Sequence, residues 1–266
     1  MKNRLFAFSA LIVLCLIGSP AARAATLEQI KKDGLRVCLE PSYMPFEMLD
    51  KQGKIIGFDP DLAELMVKEL GASKLELVKT AWDDIIPSLI ADKCDIIMSG
   101  MSVTEERSQK INFSNAYVVV GQTVLLRKEL AGQVKSYNDL NDPKYKVLSK
   151  KGTTGETAVK THMPKAQHLS AQSEDEALPA LIGGKADAFV YDAPYNAVAF
   201  GRHGEGKVVF LDAPFTVEPV GWGVSKDHPE FLRWLNEFLA KIQKDGSRYA
   251  LYKKWFKTTD WLKDVQ

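Results

Sequence analysis

The stretch MSGMSVTEERSQKINFSNAY (98–117) brings the Gly100 backbone, the Ser102 hydroxyl and the Arg107 guanidinium close together along the chain. The run 94–98 reads as a buried strand that leaves its sheet at Ser99-Gly100, and in α/β folds ligands gather just past the carboxyl ends of strands. Thr104 is placed to cap a helix whose first turn holds Glu105 and Glu106, where the dipole favours negative charge. Arg107 sits against that dipole, which makes a solvated position less comfortable. A guanidinium beside a free hydroxyl and exposed backbone amides is a fork for a carboxylate; an exposed helix arginine is the alternative. Asp192 closes ADAFVYD (186–192), where it either meets an ammonium or caps the helix opening at Ala193-Pro194. Thr154, in GTTG (152–155), either opens a helix whose free amides face an anion or belongs to a flexible turn. Tyr43 and Trp82 stand at two further strand-to-helix junctions. An arginine for a carboxylate, an aspartate for an amine and aromatic walls together suit a zwitterion.

The elements that must position these groups alternate along the chain. LRVCLE (35–40), LELVKT (75–80) and CDIIMSG (94–100) read as strands, separated by the helical patterns DPDLAELMVKELG (59–71) and WDDIIPSLIADK (82–93). This is an α/β layered domain with mostly parallel strands. Asp59 is expected as the N-cap of the first helix, with Pro60 at its first position and Gly71 past its end. A second cycle follows in YKVLSKKGTTGETAVKTH (145–162), SEDEALPALIGGKADAFVYD (173–192), APYNAVAF (193–200) and KVVFLD (207–212). Two cycles imply two lobes. VVVGQTVLL (118–126) is an apolar run able to cross between them, and VGWGVSKD (220–227) is a second such segment. A helix with Phe231, Trp234, Leu235, Phe238, Leu239 and Ile242 at helical spacing then needs a sheet to cover. The expected division is 1–24 a leader, 25–119 the first part of lobe 1, 120–221 lobe 2, and 222–266 the second part of lobe 1.

Lys2 and Arg4, an apolar run over 5–17, a break at Gly18 and Pro20, and Ala22-Arg23-Ala24 form the layout of a secretory signal peptide cleaved before Ala25. A lipid anchor through Cys15 is the competing reading. Removing the leader's three basic residues, Lys2, Arg4 and Arg23, takes the formal charge from +1 to −2. That near-neutrality argues against nucleic acid, which demands a basic patch. Cys38 and Cys94 remain; an even count in an oxidising compartment invites a disulfide, but their apolar strand-like settings lean toward free buried thiols. His162, His168, His203 and His228 lack metal-ligand spacing and read as solvent-facing, and no G-x-S-x-G or Walker A motif is present. No metal, cofactor or catalytic residue is expected.

PSYMPFE, GFDPDLAELMVKELG, the block 82–117, KKGTTGET and GGKADAFVYD together resemble the periplasmic polar amino-acid-binding proteins of ABC importers, in order and over essentially the whole mature chain. The resemblance implies an α/β, two-lobed type II periplasmic binding fold that closes over one amino acid, each lobe a mostly parallel sheet flanked by helices, with two crossover strands at the hinge. It implies that Arg107 clamps the α-carboxylate, assisted by Ser102, the Gly100 backbone and Thr154, that Asp192 holds the α-ammonium, and that Tyr43 and Trp82 wall the ligand. Glu40 matches the place where basic-amino-acid and glutamine binders often carry aspartate, one methylene shorter, and Lys150 matches a lysine of glutamine binders. Glu40 facing Lys150 would suit glutamine; Lys150 turned to solvent would leave Glu40 to favour lysine, arginine or histidine; Glu40 paired elsewhere with Lys150 facing the pocket would open it to an acidic ligand. The implied partners are an inner-membrane ABC permease with its cytoplasmic ATPase, served by a periplasmic monomer.

An enzyme on the same fold is the alternative. Cyclohexadienyl dehydratases, which act on prephenate or arogenate, resemble it and use a glutamate near the matching Gly-Thr segment as a general acid. Glu156 stands at about that place, with a plain first-turn helix role as its other explanation. A third class, the sensing module of a receptor, would continue into a membrane helix, whereas the sequence ends at Gln266 after a helical tail.

Overall fold

The computed structural model describes residues 26–265; the expected leader, with its cleavage site and Cys15, lies outside them. Two five-stranded sheets organise the chain. In the first, Leu75–Lys79, Leu35–Leu39 and Ile96–Ile97 run parallel, and Gly223–Val224 lies antiparallel between Ile96–Ile97 and Asn112–Phe113. In the second, Gln167–Ala171, Lys146–Lys150 and Ala188–Asp192 run parallel, and Gln122–Arg127 lies antiparallel between Ala188–Asp192 and Val208–Leu211. Each sheet therefore carries a single strand running against the rest. The edge strand Gln167–Ala171, sequence QHLSA, has no apolar alternation to announce it.

The chain passes from the first sheet to the second through Val118–Val120 and returns through Glu218–Val220, and these two segments pair antiparallel as a two-stranded ladder. The helix Pro229–Lys244 buries Phe231, Leu235, Phe238, Leu239 and Ile242, and its Trp234 and Phe238 stack in the same aromatic group as Trp222. Those residues belong to the core that also holds Leu35, Val37, Ile96 and Phe58, so the late helix covers the first sheet.

Two local expectations are corrected. The first long helix is Phe58–Leu70, capped at its start by Gly57, so Asp59 lies inside its first turn rather than at the cap. A buried carboxylate there answers to tertiary partners described below. Cys38 and Cys94 form a disulfide across a separation of 56 residues, with Cα atoms 5.7 Å apart. Their apolar setting, among Ile85, Leu89 and Ile97, matches that of free buried thiols, and only spatial adjacency distinguishes the two. Opening this loop in the unfolded chain restores entropy, so Cys38→Ser with Cys94→Ser is expected to cost about 2–4 kcal/mol, read as a lower denaturant midpoint.

Candidate functional site

The cleft collects the carboxyl ends of strands from both sheets. Glu40 follows Leu35–Leu39, Ser99 to Ser102 follow Ile96–Ile97, Trp82 opens the helix Trp82–Ile90, Thr154 opens Thr154–His162 after Lys146–Lys150, and Asp192 ends Ala188–Asp192. Glu40, Tyr43, Trp82, Gly100, Ser102, Arg107, Thr154 and Asp192 line one cavity, joined by Ser99, Thr153, Glu174 and Tyr191.

At one end stand Arg107 and Asp192. Thr104 caps the helix Glu105–Lys110 through a hydrogen bond from the Arg107 N–H, which fixes the turn that launches the guanidinium. Arg107 donates to the Ser102 carbonyl at 2.7 Å and the Gly152 carbonyl at 3.2 Å, and its guanidinium carbon lies 5.2 Å from the centre of the Trp82 ring. Burial works against its charge, and Asp192 and Glu218 oppose that effect; the net shift is downward. Asp192 does not cap the helix Ala193–Ala199 with its side chain. It accepts instead from the Tyr43 hydroxyl and the Gln122 side-chain amide. Burial and the Glu218 charge push its pKa from 3.8 up to about 7, against the pull of Tyr43, Gln122 and Arg107. The end thus offers a cation and an anion that are not paired to each other.

The surroundings of this end differ from a simple three-donor cradle. Ser102 donates to Glu218 at 2.8 Å, and the Gly100 N–H donates to Asp59 at 3.0 Å, so the amide expected to assist a carboxylate is committed behind the cavity. Gly100 serves by lacking a side chain: with φ +54° a Cβ would meet the Tyr43 ring at 2.3 Å. Thr154 borders the cavity and its hydroxyl accepts from Gln122 at 3.3 Å. Gln122, the first residue of Gln122–Arg127, also donates to Glu218 at 3.1 Å, which ties that strand to the start of the returning segment.

At the other end, Lys150 does not line the cavity as expected: it lies against Glu40 and Glu174, which do, and it does not reach solvent. Its side chain is 1% exposed, and its ammonium bonds Glu40 and both oxygens of Glu174, the latter at 2.9 and 2.8 Å. Glu40 faces Lys150, as the glutamine reading required, but a second carboxylate flanks the same ammonium. Trp82 closes the cleft by donating its ring N–H to the Gly152 carbonyl at 3.0 Å, and Lys151 bridges to Asp83 at 2.9 Å.

Asp59 and Glu47 lie fully buried behind Ser99 and Gly100. Asp59 accepts from the Gly100 N–H and the Tyr117 hydroxyl, and Glu47 from the Ser99 hydroxyl at 2.6 Å. Burial, and then the Asp59 charge, push the Glu47 carboxyl well above its usual range. This hydrogen-bonded support fixes the backbone that forms the cavity floor.

Glu156 is turned away from the cavity. It accepts from the Gly152 N–H at 2.7 Å and pairs with Lys160 at 2.8 Å. Burial raises its pKa, but Lys160 and the Gly152 N–H outweigh it and the net shift is downward. A general acid needs the opposite. His228 also departs from expectation: it is buried, with neither ring nitrogen hydrogen-bonded. Among the described residues no cluster of His, Cys, Asp and Glu is placed to hold a metal, and no helix is long and apolar enough to cross a membrane.

Glu174, Tyr191, Gln122 and Glu218 escaped sequence reasoning. Glu174 sits in the acidic run SEDE, which reads as an exposed turn, and the other three lie in or beside apolar strand-like runs. The one available signal was position: Tyr191 immediately precedes Asp192, and Gln122 follows the glycine at the crossing.

The sequence profile of the bacterial extracellular solute-binding proteins, family 3, matches residues 35–258. The chain belongs to that family. A family 3 solute-binding protein of this kind has recognisable kin: it is 30% identical to the glutamine-binding protein GlnH of an ABC transporter in Bacillus subtilis, over 95% of each chain. A putative binding component of an ABC transporter from Wolinella succinogenes, solved with lysine, is 46% identical, covers 88% of this chain and 99% of its own, and superposes with a TM-score of 0.84. An ancestral amino-acid-binding protein, a precursor of cyclohexadienyl dehydratase, is 43% identical over 86% of this chain and 99% of its own, with a TM-score of 0.80. The fold is the two-lobed α/β arrangement of this family, with mixed sheets flanked by helices. Its named kin are amino-acid-binding proteins, two of them binding parts of ABC transporters.

Proposed function

We propose that this protein captures a polar L-amino acid in the cleft between its lobes, outside the cytoplasmic membrane, and presents it to an ABC permease driven by a cytoplasmic ATPase. The observation that carries the reading is that Arg107 and Asp192, opposite in charge and not bonded to each other, line the same cavity. Arg107 takes the α-carboxylate with the Thr154 hydroxyl beside it, Asp192 takes the α-ammonium, and the Tyr43 and Trp82 rings pack against the ligand. A buried zwitterion is stable only when each charge meets a partner. The leader at 1–24 directs the chain to the periplasm, where it acts as a monomer, and lobes comprising 25–119 with 222–266 and 120–221 close about the crossing strands. Ligand shifts that hinge equilibrium because only the closed form completes the site. The glutamine and lysine named for GlnH and the Wolinella protein support an amino acid as cargo.

The test is a thermal-shift screen of the mature protein against the twenty L-amino acids, prephenate and arogenate. A rise in melting temperature with one or a few amino acids supports the reading, since a ligand of the folded state stabilises it in proportion to saturation. Consumption of prephenate with no amino-acid response would replace it with the dehydratase. Because Glu156 bonds only its own helix and strand neighbours, Glu156→Gln is expected to leave amino-acid affinity within about 0.5 kcal/mol of the parent, measured by calorimetry.

A further inference from the structure

Lys150, Glu40 and Glu174 meet only because the lobes meet. Lys150 and Glu174 come from the segment carrying the second sheet, and Glu40 follows a strand of the first. The two carboxylates are not equivalent. Glu174 is fully buried and accepts from Lys150 through both oxygens, from the Tyr191 hydroxyl at 2.6 Å and from Ser42 at 3.1 Å. Those four bonds fill the acceptor capacity of a carboxylate. Glu40 keeps 19% of its side chain exposed, and apart from Lys150 it receives only a 3.4 Å contact from the Trp82 N–H. Glu40 is therefore the carboxylate with capacity left for a ligand, and Glu174 is the fixed counter-charge of the lysine.

We infer that Glu174 is the specificity-determining residue of the site: by neutralising Lys150 from behind, it leaves Glu40 as a net negative charge and selects an amino acid with a cationic side chain. This rests on the amino-acid-binding reading above. The reasoning is a count of charges in a place with little water. Glu40, Glu174 and Lys150 sum to −1, a cationic side chain brings the cluster to zero, a carboxamide leaves it at −1, and an acidic ligand takes it to −2. Uncompensated charge is costly in such a setting. Burial disfavours the Lys150 ammonium, but Glu174 and Glu40 outweigh it and hold its pKa above the usual value, so the lysine counts as charged. Were Glu174 uncharged, Glu40 and Lys150 would form a balanced pair presenting one acceptor and one donor, the arrangement that suits glutamine. Lys150 and Glu40 are common to both cases, so their presence in the sequence does not choose between them.

The experiment is calorimetric titration of the mature protein, Glu174→Gln and Lys150→Met with L-lysine, L-arginine, L-glutamine and L-glutamate, with thermal melts confirming that each variant folds. The parent is expected to prefer lysine or arginine to glutamine by about tenfold or more in Kd. Glu174→Gln should shrink that ratio by about tenfold or invert it, and Lys150→Met should widen it. Damage to folding weakens all ligands alike and leaves the ratio unmoved, so opposite shifts in the two variants are the signature. A parent that prefers glutamine, or a Glu174→Gln protein with an unchanged lysine-to-glutamine ratio, overturns the inference while leaving the carrier reading intact. A parent that binds no amino acid overturns the carrier reading itself.

Discussion

Replacing Arg107 with alanine is expected to weaken amino-acid binding by about 3 kcal/mol or more, on the order of a hundredfold in Kd, in a calorimetric titration of the folded variant. The size follows from what the substitution leaves behind. The ligand carboxylate would enter a cleft already holding Asp192, Glu218, Glu40 and Glu174, with Lys150 as the remaining buried cation and that one occupied by two carboxylates. An unpaired anion in such a place costs several kcal/mol. Arg107→Lys is not a rescue, since a point charge cannot reproduce the guanidinium's bonds to the Ser102 and Gly152 carbonyls or its position over Trp82. Affinity unchanged in Arg107→Ala would remove the clamp.

Asp192→Asn is expected to cost a similar amount, about 3 kcal/mol, and to abolish a pH dependence that the parent shows. In the cleft Asp192 titrates at about 7, raised by burial and by Glu218. The ligand's ammonium requires the ionised form, so affinity should fall as pH drops through 7, by about twentyfold between pH 7.5 and 5.5. Protein stability without ligand moves the other way. A carboxyl whose folded pKa exceeds its unfolded value of 3.8 favours the folded state at low pH, and that contribution is lost as pH rises from 3.8 through about 7. Asp59, also raised to about 7 by burial, adds in the same direction. The ligand-induced rise in melting temperature should therefore grow from pH 5.5 to pH 8 in the parent and stay flat in Asp192→Asn; a flat parent profile would detach Asp192 from the ammonium.

Local patterns in the chain set the layering of the fold and most of the cavity wall. Helix and strand patterns such as 59–71, 145–150 and 186–192 are written locally, because periodicity and caps act over a few residues, and a ligand at strand carboxyl ends follows from the layering. Tyr43, Trp82, Arg107 and Asp192 were legible because each sits where such a strand or helix begins or ends. Features that depend on partners distant in sequence emerge only when the chain is folded. Asp59, which reads as a helix cap, is a buried support for Gly100 and Tyr117 because the strand end and a later loop close over it. Cys38 and Cys94 pair because the first and third strand-like runs lie side by side in one sheet, and apolar surroundings alone cannot distinguish a disulfide from two thiols. Glu174 reads as one acid in a polar turn, yet it is buried against Lys150, Tyr191 and, from the first lobe, Ser42. Its charge gains a role only when two lobes and three separate segments exclude water around it, and the energy of a charge is set by that exclusion rather than by its neighbours in the chain.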